Sequence, residues 1–190
     1  KKKFWKYLMK KNLLKRILTS IILIGLLIFF VFNNQFTWLF SLIIVSLLCW
    51  VEFINLIKKI LKKNINLRDI FIALAFGYLS LFIISSQILY NLGFAFFILS
   101  VCIFSDIGGY IIGNIIGGKK LSKISPNKTI SGSIGSFLFC LIPTLILFLD
   151  LSYLSNTKYL TLIILSLLTS AVSQAGDLTI SLIKRKAKVK

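Results

Sequence analysis

Residues Phe36–Ile57 read FTWLFSLIIVSLLCWVEFINLI, an apolar run closed by Lys58 and Lys59 that holds a single ionisable acid, Glu52. A helix of that length rises about 33 Å, enough to cross a hydrocarbon layer of ~30 Å. Five further runs of this kind flank it: Leu14–Phe32, Ile70–Ile84, Ile88–Ile116, Ser133–Leu149 and Leu160–Gly176. The run Ile70–Ile84 is short, and Ile88–Ile116 is long and interrupted by Asp106, Gly108, Gly109 and Gly113, which suggests a broken helix. The 190 residues are 57% hydrophobic, with five acidic residues and no histidine, too little polar surface to cover a water-soluble core. The pattern predicts an all-α fold. Residues 1–190 are expected to form a single polytopic membrane bundle of about six transmembrane helices.

The formal net charge of +18 could be mistaken for a nucleic-acid footprint, but its placement argues against one. Lysines and arginines cluster at residues 1–16, at Lys58–Arg68, at Lys119–Lys128 and at Lys184–Lys190. Only Lys158 of the 23 basic residues falls in the loops after the first, third and fifth runs. Alternation of this kind follows the positive-inside rule for six spans with both termini cytoplasmic, and makes residues 1–16 a basic cytoplasmic N-terminus. Anionic lipid accounts for most of the clusters, and no nucleic-acid partner is expected. The first run exceeds a signal-peptide core, and Asn33-Asn34-Gln35 is no small-residue cleavage site, so it reads as a retained helix. Cys49, Cys102 and Cys140 lie inside runs without disulfide or zinc spacing and read as packing residues. Without histidine, the commonest general base and any His-ligated metal are excluded.

Acids inside lipid cost on the order of 2.5–3.5 kcal/mol each on insertion scales, so each calls for a reason. Glu52, Asp106 and Asp177 stand inside runs, about 9, 15 and 10 Å from the basic loops that follow them. All three fall in the inner halves of their helices. In the last run Ser170, Ser173, Gln174, Asp177, Ser181 and Lys184 recur at three- and four-residue steps on one helical face, opposite Leu168, Ala175, Leu178 and Leu182. Such a stripe must face protein or water. It is explained either by helix-packing hydrogen bonds or by a polar cavity open to the cytoplasm.

Residues 117–132 mix Gly117, Gly118, Lys119, Lys120, Lys128, Thr129 and Ser131 ahead of a helix. Backbone amides, cations and hydroxyls at a helix N-terminus suit phosphate, and a basic loop with a Ser-Pro turn and a helix cap has the same composition. No Walker string occurs. Carboxylates without histidine favour a hard, oxygen-bound cation such as Mg²⁺. An enzyme acting on a phosphorylated lipid or a transporter would each fit.

Three stretches decide between them. Ser105-Asp106-Ile107-Gly108-Gly109-Tyr110, continuing through Gly113 to Gly117, resembles the Ser-Asp-x-Gly-Ala-Tyr helix of the phosphatidate cytidylyltransferases. Lys120-Leu121, Ile124-Ser125-Pro126-Asn127-Lys128-Thr129 and Gly132 follow that family's Lys-Leu-x-x-x-Ile-Ser-Pro-x-Lys-Thr-x-x-Gly. Gly176-Asp177-Leu178, Ser181 and Lys184-Arg185, through Lys190, resemble the opening of its C-terminal signature, and Glu52-Phe53 resembles its Glu-Trp or Glu-Phe. Departures are Asn114 for a usual cation, Ser131 for a common Glu and Ile180 for a usual Glu.

The resemblance implies transfer of CMP from CTP to phosphatidate, giving CDP-diacylglycerol and pyrophosphate, with Mg²⁺ as cofactor. Asp177 would ligate the metal. Lys128, with Ser125 and Thr129, would bind phosphate groups, and Ser181 would join the substrate site. Lys184 and Arg185 would hold the pyrophosphate or the lipid headgroup, and Asp106 would position a metal-bound water or a lysine. The implied partners are CTP, phosphatidate and membrane lipids, the implied location the bacterial inner (cytoplasmic) membrane; a homodimer stays open. Residues 177–190 would then be the start of a signature whose Pro-Gly-His-Gly-Gly turn and Asp-Arg-x-Asp segment are missing here. The chain is accordingly expected to be a fragment, inactive alone, because one carboxylate rarely holds Mg²⁺. A cytidylyltransferase for another lipid phosphate, a small transporter and a non-catalytic membrane fragment are the competing readings.

Overall fold

The computed structural model describes residues 18–19, 22–62, 64–122, 125, 128–150 and 156–189. Its helices are α1 (Ile22–Phe32), α2 (Gln35–Ile60), α3 (Ile65–Asn91), α4 (Ala95–Ile116), α5 (Ile130–Phe139), α6 (Ile142–Asp150) and α7 (Asn156–Lys186). The protein is an all-α, polytopic membrane bundle.

Among the described residues five spans, not the expected six, are long and apolar enough to cross a membrane: α2, α3, α4, the consecutive α5–α6, and α7. The first run is described as a helix only over Ile22–Phe32, whose rise of about 16 Å is half a hydrocarbon core. Its residues 14–17 and 20–21, like the basic cluster at residues 1–16, lie outside the described residues. The expected break within Ile88–Ile116 also moves. Helix α3 runs on to Asn91, and the chain turns at Gly93, whose φ of 76° is open to glycine at little cost. There Phe94 N donates to Leu89 O at 2.9 Å and Gly93 N to Tyr90 O at 3.0 Å, closing the end of α3. Helix α4 then continues unbroken through Gly108, Gly109 and Gly113.

Those glycines serve packing instead. At the α4–α5 crossing, a Cβ on Gly135 would lie 2.5 Å from Ile112 Cβ and 2.7 Å from the Gly108 carbonyl oxygen. One on Gly132 would lie 2.8 Å from the Gly109 carbonyl oxygen. Only bare backbone lets these two helices come so close, and dispersion over the contact replaces the hydrophobic drive that lipid removes. The expected fifth span is kinked between α5 and α6. Pro143 has no N–H to offer the Phe139 carbonyl, so the helix is interrupted at Cys140–Leu141 and restarts with Pro143 in its first turn.

Two apolar clusters knit the bundle. Val31, Trp38, Leu42 and Ala95 join α1, α2 and α4, with the Trp38 and Tyr90 rings stacked at 5.6 Å. Phe97, Val101, Cys140 and Leu162 join α4, the α5–α6 kink and α7. The tight α1–α2 link is held by a capping box: Thr37 N donates to Asn34 Oδ1 at 2.8 Å, and Asn34 N donates to Thr37 Oγ1 at 3.2 Å. Helix α3 has no buried residue, and its Tyr78 and Leu81 stand open as lipid-facing side chains do.

Candidate functional site

Thr129 begins the site because it ends the loop. Its backbone is extended, and its hydroxyl accepts from Gly132 N at 3.0 Å, capping α5. Just before it the loop closes on itself. Leu121 N donates to Lys128 O at 2.8 Å and Ile130 N to Lys119 O at 3.0 Å, an antiparallel bridge that fixes the Lys128 backbone beside the N-terminus of α5. Ser131 Oγ donates to the Gly117 carbonyl and fastens this end of α5 to the end of α4. From that anchor Lys128 reaches α7, with Nζ 2.6 Å from Asp177 Oδ2, across 49 residues of sequence.

The polar stripe of α7 faces protein. Ser170 is fully buried and shares a 2.8 Å hydrogen bond with Ser105 of α4, itself fully buried. Gln174 donates to Ser170 Oγ at 3.3 Å and accepts from Ser133 of α5. Asp177 takes Lys128, and two turns on Lys184 Nζ lies 3.1 Å from Glu52 Oε1 of α2. Within the stripe Ser170 joins α7 to α4, while Gln174 and Asp177 border a cavity.

That cavity, about 280 Å³, lies among α4, α5 and α7. Asp106, Tyr110 and Asn114 line it from α4, Lys128 and Thr129 from the loop, Ser133 and Ser136 from α5, and Gln174 and Asp177 from α7. Gly109, Gly113 and Gly132 floor it, so the close crossing of α4 and α5 also brings backbone to the cavity wall. Four of the residues expected from sequence thus meet here: Asp106, Lys128, Thr129 and Asp177. Four do not line it. Ser125 forms a turn, its carbonyl accepting from Lys128 N at 3.1 Å. Ser181 lies on α7 beyond the cavity, Lys184 is engaged by Glu52, and Arg185 is exposed in the last turn of α7. Lys123, Ile124, Pro126 and Asn127 lie outside the described residues. Tyr110 and Ser133 were not singled out for the site. Only the position of Tyr110 beside Asp106 in the glycine-rich helix hinted at it.

Chemically, the cavity offers two carboxylates, one cation and several hydroxyls. Such an oxygen-rich donor set fits a hard divalent cation, which Asp177 and Asp106 could hold. Among the described residues no group of three carboxylate, thiol or imidazole ligands gathers. The lysine, the Thr129 hydroxyl and the N-terminus of α5 suit a phosphate.

Residues 62–190 match the model of the cytidylyltransferase family. A phosphatidate cytidylyltransferase of Staphylococcus saprophyticus is 32% identical over 88% of this chain and 65% of its own length. Its counterpart in Staphylococcus haemolyticus is 29% identical over 97% of this chain and 73% of its own, and that of Bacillus subtilis 34% identical over 66% and 46%. The chain thus spans just under two thirds of the S. saprophyticus relative and less than half of the B. subtilis one. No solved structure matches.

Proposed function

The chain belongs to the cytidylyltransferase family, and on that premise we propose that it carries much of the membrane site of a phosphatidate cytidylyltransferase, transferring CMP from CTP to phosphatidate. The observation that supports this reading best is the Lys128–Asp177 pair at the wall of a polar cavity inside an otherwise apolar bundle. A charge pair that keeps solvent access within an apolar bundle suits a charged ligand. The names of the relatives point to the same chemistry.

In the proposed reaction a phosphate oxygen of phosphatidate attacks the α-phosphorus of CTP. A new P–O–P link forms, the bond from the α-phosphorus to the α,β-bridging oxygen breaks, and pyrophosphate leaves with that oxygen and its electron pair. Little covalent work falls to the protein in phosphoryl transfer, so positioning and charge neutralisation dominate. Lys128 and the Thr129 hydroxyl hold phosphate oxygens, with the α5 N-terminus behind them. Asp177, with Asp106, would hold Mg²⁺, which when bound would supply neutralisation of phosphate charge. Lys184 and Arg185 extend the cationic path outward along α7. With the basic loops on the cytoplasmic side of a bacterial inner membrane, cytosolic CTP and an inner-leaflet lipid meet at this cavity.

The test is CTP-dependent formation of CDP-diacylglycerol by membranes carrying the intact gene product, supplied with phosphatidate and Mg²⁺. Asp177→Asn is expected to lower the rate by at least about 100-fold, on the scale of losing a main electrostatic element. Full activity of the variant would remove Asp177 from the site. Absence of activity in the parent, with anion uptake into proteoliposomes instead, would favour a transporter.

A further inference from the structure

Asp177 has the carboxylate a divalent cation would need, yet its Oδ2 is already held by Lys128 at 2.6 Å. The two cannot share that oxygen at full strength. An ammonium at hydrogen-bond distance occupies the space and the charge that a cation at ~2.1 Å would take. Lys128 is also the cation of the phosphate-type loop, tethered by a backbone bridge beside Thr129 and the α5 N-terminus. We propose that Lys128 is a place-holder: in the ligand-free chain it neutralises Asp177, and a divalent cation displaces it, freeing the ammonium for an anionic phosphate in the same cavity.

The inference rests on the proposed function for the identity of the ligands, and deepens it by coupling their binding. The surroundings support an exchange over a fixed strut. Asp106 borders the same cavity, so its wall carries two carboxylates and one lysine. Both partners keep solvent access, with side chains 31% and 56% exposed, so the pair can open without unpacking the bundle. The lysine and its carboxylate come from different elements, the tethered loop and α7, and α7 runs on past the contact to Lys186. By linkage, a cation that releases Lys128 must raise phosphate affinity by the same factor that phosphate raises cation affinity.

The direction of one effect separates this from a structural salt bridge. Mn²⁺ binding to the intact protein in detergent micelles is followed by the paramagnetic resonance signal of free Mn²⁺, with no nucleotide or lipid substrate present. Lys128→Gln is expected to bind Mn²⁺ about two- to fivefold more tightly than the parent, the range set by a partly exposed ion pair. Asp177→Asn should lose that binding. Lys120→Gln removes the same charge from the same loop but not from Asp177, and should leave the affinity where it was. In the parent, Mn²⁺ should tighten binding of pyrophosphate by a factor that Lys128→Gln erases. Unchanged or weaker Mn²⁺ binding in Lys128→Gln overturns the proposal, as do equal gains in both lysine variants or no Mn²⁺ binding in any form. Cytidylyl transfer with unchanged Mn²⁺ affinity would sink the place-holder alone. Tightened Mn²⁺ binding without any cytidylyl transfer would sink the proposed function and leave the exchange standing.

Discussion

Helices α4 and α5 meet through bare backbone, whereas α2 and α3 meet through large side chains, and the two contacts answer to different physics. At the first, Gly108, Gly109, Gly132 and Gly135 bring carbonyls to within van der Waals reach of the facing helix. Its polar members, Ser105, Ser133 and Ser136, are held inside protein. At the second, α3 has no fully buried residue and meets α2 through pairs such as Trp38–Tyr90 and Trp50–Phe76, and Gly77 has open space around it. The lesson is that the site grows only where helices are locked. A carboxylate of α7 and a loop lysine are brought together where α4, α5 and α7 are locked, and among the described residues no such pair between elements forms on α3, which has no buried residue.

The same substitution in the two regions breaks or confirms that contrast. Gly135→Ala forces a methyl against Ile112 and the Gly108 carbonyl and should cost about 1–3 kcal/mol, read as a lowered thermal midpoint in detergent. Ser170→Ala removes the buried hydrogen bond to Ser105 and the one from Gln174. It should cost about 0.6 kcal/mol, and at most about 1.7 kcal/mol, in the same assay. Gly77→Ala should be neutral or stabilise by up to about 1 kcal/mol, since its methyl meets nothing and the helix gains propensity. Equal losses at Gly135 and Gly77 would mean that the α4–α5 crossing is not specially close. If Ser170→Ala rivalled Gly135→Ala, the polar seam rather than backbone contact would be the main lock.

Much of this could be read from the chain, for reasons that particular residues make plain. Apolar length alone marks α2, α4 and α7, because lipid leaves a backbone no alternative to a helix. The step of the α7 stripe put Ser170, Gln174, Asp177 and Lys184 on one face, and Ser170, Gln174 and Lys184 meet other helices while Asp177 meets the loop before α5. The end of α3 was harder. Ile88, Leu89 and Tyr90 carry the apolar run on past Gln87, and only Asn91 and Gly93 mark the stop. The glycines of α4 were read as breakers, when a neighbouring helix makes them contact points.

Pairing was out of reach altogether. Which acid Lys128 would choose, or which cation Glu52 would choose, depends on contacts across 49 and 132 positions of sequence. By itself the sequence determined that the chain lives in a membrane as helices, and it marked the inner-half acids and the loop cations as the candidate site. It could do so because burial cost and charge placement are properties of each residue in turn. Only the tertiary structure decided that Asp106, Lys128, Thr129 and Asp177 border one cavity while Lys184 is drawn to Glu52. That outcome turns on how closely α4 and α5 approach and which face of α7 they receive.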